Sequence, residues 1–456
     1  PAQRTAKAVE KRMRKYRLPL LLGLLLAGII TVRFLPAMLR TMPTRYAMRL
    51  PAPLQALALP AASTPILPTA AAPRDAAALL GNAAVPATAT PPPSPTPQTV
   101  AAGFATAAPA TSPATPTLAP TPTATPWPVP SAARMTGFTH VFQEWNNCGP
   151  ATLVMTLTHF GRVLSQRDTA LVLRPDPEDR NVTPHEMADF VNNTQDGLHA
   201  VARINGDLRL LKQLLANNVP VIIEIGFDPP GEYQWLGWYG HYLLPVAYDE
   251  AAGQFWVYDS WLGTSEVPQT NADANGRVLT EAELDAFWTE FNHSYIVVYE
   301  TAQETLVQQL LGDTLNDDAM WAASLARAQT DAARAPDNAF YWFNLGSTYN
   351  ALGRYDEAAV AFDEARAIGL PWRMLWYQFG PYEAYYRVGR YDDVILLTQT
   401  TLQDRPYFEE SYYYLGLAQA ALGDSAAARE NLQKAHTLNP SFAPAEKALA
   451  ELPADG

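Results

Sequence analysis

Proline is distributed very unevenly along this chain of 456 residues. Half of the 40 prolines lie between residues 51 and 130, where Arg74 and Asp75 are the only charged residues and runs such as TATPPPSPTP recur. Proline favours extended polyproline II chain, and a segment dominated by Ala, Thr and Pro cannot build a core. We therefore expect residues 41–132 to form a disordered, semi-rigid linker, with the folded domains after it.

The beginning of the chain combines positive charge with an apolar stretch. Residues 1–50 contain eleven Lys and Arg against one acid, Glu10. The basic residues of 1–17 precede an apolar segment at 18–39, which as a helix would be about 33 Å long and would cross a bilayer core of about 30 Å. Because flanking cations stay in the cytoplasm, the sequence predicts a single-pass cell-membrane anchor with all later domains extracytoplasmic. The alternative is a cleaved signal peptide, although the small-x-small site Ala56-Leu57-Ala58 lies far downstream.

The charge balance limits the classes of partner. The net charge is −13, and because residues 1–50 are strongly basic, the rest of the chain carries about −23. Nucleic acid binding needs a basic face, so nucleic acid is not an expected partner. The sequence has no Cys/His cluster typical of zinc and no Gly-rich loop typical of a nucleotide site, so we expect no metal and no cofactor.

Residues 134–300 carry the signals of a mixed domain. An amphipathic helix is predicted at 150–160, and capping boxes at Thr183–Glu186 and Thr280–Glu283 predict two further helix starts. The second half is strand-like, and short polar links there are typical of hairpins. Helices first and strands later predict an α+β domain with an antiparallel sheet. The strand-like runs are VPVIIEIGF (219–227), HYLLPVAYD (241–249), QFWVYDS (254–260) and SYIVVYE (294–300).

After residue 300 the pattern becomes helical and periodic. Prolines at 336, 371, 406 and 440 are 35, 35 and 34 residues apart, a period typical of stacked helical hairpins. The middle unit has Tyr382 and Val394 where small residues are expected, so its helix pair should lie further apart. The sequence predicts an all-α solenoid at 336–452, ending in a capping helix, after an irregular helical lead-in at 302–335. The units resemble tetratricopeptide repeats through Trp342, Leu345, Gly346, Tyr349, Ala358 and Phe362, and through Tyr412, Leu415, Gly416, Ala428, Leu432 and Ala435.

The chain contains one cysteine, Cys148, which precedes Gly149-Pro150 and the start of a predicted helix. A lone cysteine cannot form an internal disulfide, and an exposed thiol outside the cell is open to oxidation. At a helix start, unpaired N–H groups and the helix dipole favour a thiolate and lower the thiol pKa from about 8.5. We therefore interpret Cys148 as a nucleophile, although most free cysteines are small buried apolar residues.

A thiolate nucleophile needs a base, a group that orients the base, and donors for the developing oxyanion. His241 begins an apolar strand and Asp259 ends the next one, so pairing of the two strands would place them nearly opposite each other. Gln143, five residues before Cys148, can offer its amide beside the Cys148 N–H. The predicted catalytic residues are therefore Cys148, His241, Asp259 and Gln143. Asp249 is a rival orienting carboxylate, and we interpret the other histidines as surface or packing residues.

This arrangement resembles that of the C39-like cysteine peptidases of the papain-like superfamily. In that family a Gln precedes a Cys-Gly-Pro helix start, and a Gly-His-Tyr strand is followed by a Tyr-Asp-Ser strand. The matching positions here are Gln143, residues 148–150, residues 240–242 and residues 258–260. The resemblance implies a papain-like fold over 134–300 and a Cys-His-Asp triad with a Gln oxyanion donor. The best-known relatives are fused to export transporters and remove leader peptides; this chain has no transporter segment, so the substrate does not carry over.

Aromatic residues supply further candidate sites. Trp145, Trp235 and Trp238 either wall a cleft that binds an extended peptide or pack beneath a loop. In the repeats, six aromatic positions are expected on the inner surface, where they either form an apolar groove for a protein partner or bury against the peptidase-like domain. These positions are Phe340, Phe343, Trp376, Phe379, Tyr386 and Tyr413.

Taken together, these features predict a membrane-anchored, outward-facing cysteine peptidase or amide hydrolase that acts on a peptide or protein, with repeats that bind substrate or a partner. One alternative is a catalytically inactive, peptidase-like adaptor in an envelope complex. Another is an acyltransferase or transpeptidase with the same triad, because either water or an amine can release an acyl-enzyme.

Overall fold

The structure is a computed structural model of the 456-residue chain, and it describes residues 33–35, 38–39, 54, 66–70, 76–80, 129–174, 176, 178, 181–229 and 237–452. Of the expected membrane helix at 18–39, only 33–35 and 38–39 are described, and both pieces are helical. Within these ranges, no helix combines the length and the apolar character that crossing a bilayer requires. The basic segment 1–17 and most of the expected linker lie outside the described residues.

Two helices of the peptidase-like region begin at the capping boxes that the sequence predicts, and the helix predicted at 150–160 begins at Cys148. Both capping boxes are present: the hydroxyls of Thr183 and Thr280 accept the backbone N–H of Glu186 and Glu283, and each Glu carboxylate accepts the N–H of its Thr. These reciprocal bonds pair N–H groups that a first helical turn leaves unbonded. The helices are α1 (Cys148–Thr158), α2 (Gln166–Leu173), α3 (Pro184–Thr194), α4 (Leu208–Ala216) and α5 (Glu281–Thr289).

An antiparallel sheet forms the centre of this region, as the α+β prediction requires. Its strands are β1 (Ala132–Arg134), β2 (Leu198–Arg203), β3 (Val221–Phe227), β4 (Tyr239–Asp249), β5 (Gln254–Asp259), β6 (Arg277–Thr280) and β7 (Tyr295–Glu300). They follow the order β2-β7-β3-β4-β5-β6, and β1 pairs with β4. One face packs on α1 and α3, and the other packs on α4 and α5. The central strands are therefore buried on both faces.

The hairpin of β4 and β5 has a register that the sequence did not predict. Asp259 pairs with Leu243, two residues along β4 from His241. The ladder is irregular at Val246, where β4 has one extra residue. Because side chains alternate between faces, this bulge puts Asp259 on the same face as His241, whereas an unbroken ladder would pair it with Leu244 and direct it to the opposite face.

The C-terminal region is all helical, and the repeats pack through the small and large residues of the pattern. A Cβ on Gly346 would lie 2.7 Å from Phe362, and one on Gly416 would lie 2.8 Å from Leu432, so these helix pairs approach too closely for larger residues. The helices are α6 (Glu304–Leu311), α7 (Asp317–Arg334), α8 (Ala339–Ala351), α9 (Tyr355–Ile368), α10 (Gly380–Arg387), α11 (Tyr391–Asp404), α12 (Glu409–Ala421), α13 (Ser425–Leu438) and the capping helix α14 (Ala443–Glu451).

The middle repeat departs from the pattern. We expected a wider helix pair, but its first helix is instead interrupted: a 3₁₀ turn at Trp372–Trp376 precedes α10, which has only eight residues. Pro371 and Pro381 stand before the turn and in the first turn of α10, where each removes a backbone donor. The break brings Tyr377 against the beginning of β4, where a Cβ on Gly240 would lie 3.0 Å from the Tyr377 ring.

The helical domain packs directly on the peptidase-like domain through Trp238. The sequence suggested Trp238 for a cleft wall, but its side chain is buried, and its ring stacks on Phe291 at a centroid distance of 5.8 Å and meets Tyr377 edge-on at 6.0 Å. Arg373 donates a hydrogen bond to the Trp238 carbonyl oxygen and lies 4.1 Å from the centroid of the Tyr239 ring. Trp238 therefore joins the two domains in this conformation and does not face an open cleft.

The expected partner groove of the repeats is largely packed. Phe343 and Trp376 are fully buried and cannot contact a partner in this conformation, so the groove alternative does not hold for these two positions. Phe340 stacks on Trp238 at 6.1 Å, and Trp376 meets Tyr239 at 6.0 Å, so these rings pack against the peptidase-like domain. The remaining three positions, Phe379, Tyr386 and Tyr413, are half-buried.

Part of the expected linker is packed on the helical domain. Leu67 is 1% exposed, and its N–H donates to the carbonyl oxygen of Leu370 at 2.9 Å. Arg366 donates to the carbonyl oxygen of Pro68 at 2.7 Å. A second piece, the 3₁₀ turn Ala77–Leu80, packs against the same core. The expectation of a wholly disordered linker is therefore corrected for these two pieces.

Candidate active site

Cys148 is the first residue of α1, and its side chain is partly exposed. The first N–H groups of a helix have no intrahelical acceptor, and the positive end of the helix dipole favours negative charge there. The next residue is glycine because space is short: a Cβ on Gly149 would lie 3.3 Å from Val182 and 3.4 Å from the sulfur of Met187. This close packing fixes the helix start, and with it the thiol.

The loop before Cys148 is held by α2 and by Arg174, the residue that follows α2. The Gln166 side chain donates to the carbonyl oxygen of Phe142 at 3.0 Å. The guanidinium of Arg174, which is buried, donates to the carbonyl oxygen of Trp145 at 2.9 Å. These bonds fix both sides of the loop before any substrate binds. Trp145 is half-buried, and the second expected cleft residue, Trp235, lies outside the described residues.

His241 and Asp259 form a buried, hydrogen-bonded pair. Nε2 of His241 donates to Oδ1 of Asp259 at 2.9 Å. The same oxygen accepts the backbone N–H of Trp261 at 2.8 Å and of Leu262 at 2.9 Å. Because Nε2 is engaged, Nδ1 is the ring nitrogen available to Cys148, whose side chain helps to raise the pKa of His241.

The electrostatics of this pair favour two charged groups. Burial lowers the pKa of His241, but the charge and hydrogen bond of Asp259, together with the Cys148 side chain, outweigh burial and raise the pKa to about 10. Burial raises the pKa of Asp259, but His241 and the N–H groups of Leu262 and Trp261 outweigh it and hold the pKa below its ordinary value. At neutral pH the pair is therefore an imidazolium beside a carboxylate.

Gln143 is oriented by Ser260, to which the sequence analysis assigned no role. The Gln143 N–H donates to the carbonyl oxygen of Ser260 at 2.7 Å, and the Ser260 hydroxyl donates to Oε1 of Gln143 at 2.9 Å. With Oε1 engaged, Nε2 is the group of this planar amide that can donate to a substrate oxygen. The available signal was the position of Ser260 directly after Asp259.

His140, which we interpreted as a surface or packing residue, holds the backbone of Asp259. Its Nε2 donates to the Asp259 carbonyl oxygen at 2.9 Å, and its Nδ1 accepts from the Asn271 amide at 3.0 Å. Burial lowers the pKa of His140 more than Asp259 raises it, so the ring is neutral and can donate and accept at once. Among the described residues, no three His, Cys, Asp or Glu side chains are grouped to hold a metal ion.

A pocket opens beside Cys148. Its lining includes Glu224 of β3 together with Gly240 and Tyr242 of β4, and the helical domain contributes Tyr377. Gly240 has no room for a side chain, because a Cβ there would lie 2.8 Å from Phe291. The repeats therefore form part of the wall of the pocket that contains the thiol.

Comparisons with known proteins find matches in both regions. Residues 135–296 match the model of the Peptidase_C39 like family, and residues 341–365 and 409–442 match that of the tetratricopeptide repeat. A crystal structure from Bacillus anthracis that is described as a C39-like peptidase aligns at 11% identity over 37% of this chain and 98% of that chain, with a TM-score of 0.29. No curated protein matches the chain. The interrupted middle repeat lies between the two matched repeat segments.

Proposed function

We propose that this chain, which carries a C39-like peptidase domain followed by tetratricopeptide repeats, is a cysteine peptidase or amide hydrolase. The observation that carries the proposal is the hydrogen-bonded pair of His241 and Asp259, which interacts with Cys148 at the start of α1. A partly exposed thiol at a helix start, beside an imidazolium that a carboxylate orients, is the arrangement that activates a cysteine as a nucleophile.

In the proposed acylation step, the Cys148 thiolate attacks the carbonyl carbon of an amide. The negative charge moves to the carbonyl oxygen, which the Gln143 amide and the Cys148 N–H stabilise. As the C–N bond breaks, the His241 imidazolium gives its proton to the leaving amine, and a thioester remains on Cys148. Asp259 keeps the imidazole oriented and stabilises its charged form.

In the proposed second step, water attacks the thioester. His241, now neutral, takes a proton from the water, and the same two donors stabilise the new oxyanion. The C–S bond then breaks, which releases a carboxylic acid and restores the thiolate and the imidazolium. An amine in place of water would give acyl transfer with the same groups.

The test of this function is the pH dependence of alkylation by iodoacetamide. Cys148 is the only cysteine, so the full-length protein reports on one thiol. We expect labelling well below pH 8, and slower labelling in His241→Ala. His199→Ala is the matched control, because His199 is bonded to Thr301 far from the site. Labelling only at the pH of an ordinary thiol, with no effect of His241→Ala, would instead favour the inactive adaptor.

We also propose that residues 18–39 anchor the protein in the cell membrane, with the N-terminus in the cytoplasm and the later domains outside. The support is the sequence pattern of cations at 1–17 followed by an apolar segment. After alkaline washing of membranes, the full-length protein should stay in the pellet, and its release would contradict a spanning helix. The repeats indicate protein binding, and a partner would contact surfaces other than the face that covers β4.

A further inference from the structure

Glu224 is a buried carboxyl group that the proposed reaction does not use. It lies on β3, its side chain is 7% exposed, and it lines the pocket that contains Cys148. Among the described residues, its side chain has two hydrogen-bonding partners, Tyr242 and Ser294, and neither is cationic. A carboxylate buried without a cation is costly, so this group needs an explanation.

The hydrogen bonding of Tyr242 favours the neutral form of Glu224. The Tyr242 hydroxyl donates to the carbonyl oxygen of Val182 at 2.6 Å. A phenol has one proton, so Glu224 can bond the same hydroxyl oxygen only as a donor, which requires a protonated carboxyl group. Burial likewise raises the pKa of Glu224 to about 8.

We propose that the pocket beside Cys148 binds an ammonium group of the substrate through an ion pair with Glu224. The inference rests on the proposed function, because the ammonium group belongs to the molecule whose carbonyl Cys148 attacks. On binding, Glu224 releases its proton to water, and the carboxylate gains a cationic partner, which neither of its two hydrogen-bonding partners among the described residues supplies. The Tyr377 ring in the pocket wall suits a cation, whereas an anion would be repelled by the carboxylate.

An ammonium group can come from the amino terminus of a peptide or from a lysine-like side chain. Both would make the same ion pair with Glu224, so the chemistry that the pocket recognises is shared. The two sources differ in the distance between the ammonium group and the carbonyl group that Cys148 attacks. Small amides that carry the ammonium group at either distance can therefore distinguish them.

The first test compares two reagents that alkylate Cys148, the cationic 2-bromoethylamine and the neutral iodoacetamide. The ratio of their rates is measured in the full-length wild type and in Glu224→Gln, which keeps the size and hydrogen bonding of the side chain. We expect the ratio to fall about tenfold in Glu224→Gln, because a charge-assisted bond is lost while the neutral reagent is unaffected. An unchanged ratio would overturn the proposal. If both rates fall by the same factor, the ratio is likewise unchanged, and Glu224 then has a structural role only.

Glu290→Gln provides the matched control. Glu290 is also a buried carboxyl group whose pKa burial raises, to about 7, but it accepts a hydrogen bond from Trp238 and does not line the pocket. The rate ratio should stay at the wild-type value in Glu290→Gln. A loss as large as that in Glu224→Gln would show that any buried carboxylate has this effect and would overturn the proposal.

The second test needs no variant, so it holds even where Glu224→Gln does not fold. Wild-type protein is labelled with iodoacetamide in the presence of glycinamide, Nα-acetyl-lysinamide or N-acetylglycinamide, which carries no charge. Protection by glycinamide indicates an amino terminus, and protection by Nα-acetyl-lysinamide indicates a side chain. If neither protects better than N-acetylglycinamide, the pocket does not bind ammonium. The pH profile without ligand, and its dependence on His241, test the proposed function separately.

Discussion

His241 donates its Nε2 proton to Asp259 across 2.9 Å, although the strand ladder pairs Asp259 with Leu243. The bond spans two positions along β4, which is within reach of a histidine side chain when both residues share a face. They share a face because Val246 is an extra residue in β4. The orientation of the proposed base therefore depends on one bulge.

Asp259→Asn should weaken the ion pair without changing the fold. The substitution removes the charge that raises the pKa of His241, so the pKa should fall and the imidazolium should be lost at lower pH. We expect the alkylation rate of Cys148 at pH 6 to fall about tenfold or more, since each pKa unit corresponds to about 1.4 kcal/mol. The control is Asp249→Asn, whose carboxylate caps the turn N–H groups of Ala251 and Ala252. A wild-type pH profile in Asp259→Asn would contradict the assigned role.

Gln143→Ala and Ser260→Ala should slow reactions of Cys148 that form an oxyanion and should leave the rate of other reactions of Cys148 unchanged. Acylation of Cys148 by p-nitrophenyl acetate passes through an oxyanion, whereas alkylation by iodoacetamide does not. We expect acylation to slow by about 10²–10³ in Gln143→Ala, which removes a donor, and by about tenfold in Ser260→Ala, which only releases the Gln143 amide. Alkylation should stay near the wild-type rate in both. Equal losses with both reagents would indicate damage to the loop.

The stability of the protein should decrease as the pH rises from 6.5 to 10. The pKa of His241 is raised from 6.5 to about 10 in the folded state, so its stabilising contribution is complete below pH 6.5 and is lost as the pH approaches 10. Urea unfolding of wild type and His241→Gln over this range gives the contribution as a difference. The pKa of Glu224 is also raised, so its contribution to stability falls as the pH rises toward 8. Glu224 is present in both proteins, and its contribution is therefore removed in the difference. A difference that does not change with pH would contradict the raised pKa of His241.

Leu67→Asp should detach the packed part of the linker. Leu67 is 1% exposed in the apolar core of the repeats, where burying a carboxylate is costly. Arg74 is the only Lys or Arg between residues 51 and 130, so trypsin has one cleavage site in this part of the chain. We expect cleavage at Arg74 to be at least about tenfold faster in Leu67→Asp, because each 1.4 kcal/mol changes an opening equilibrium tenfold. Ile66→Asp is the control, since Ile66 is 55% exposed, and equal cleavage in the two variants would contradict the docking.

The sequence by itself determined the features that depend on neighbouring residues. The capping boxes at Thr183 and Thr280 and the Cys-Gly-Pro helix start involve residues at most a few positions apart. Such patterns predict local structure because the groups that satisfy one another lie within one or two turns. The order of motifs along the chain also predicted Cys148, His241, Asp259 and Gln143 as catalytic residues.

Only the tertiary structure decided what distant segments do to one another. The bulge at Val246, the bond from Ser260 to Gln143 and the burial of Glu224 depend on strand register, which no short pattern encodes. Tyr377 reaches the thiol pocket, and Leu67 reaches the repeats, through packing between segments far apart in the chain. Apolar side chains bury against surfaces of complementary shape, and these surfaces exist only in the folded molecule.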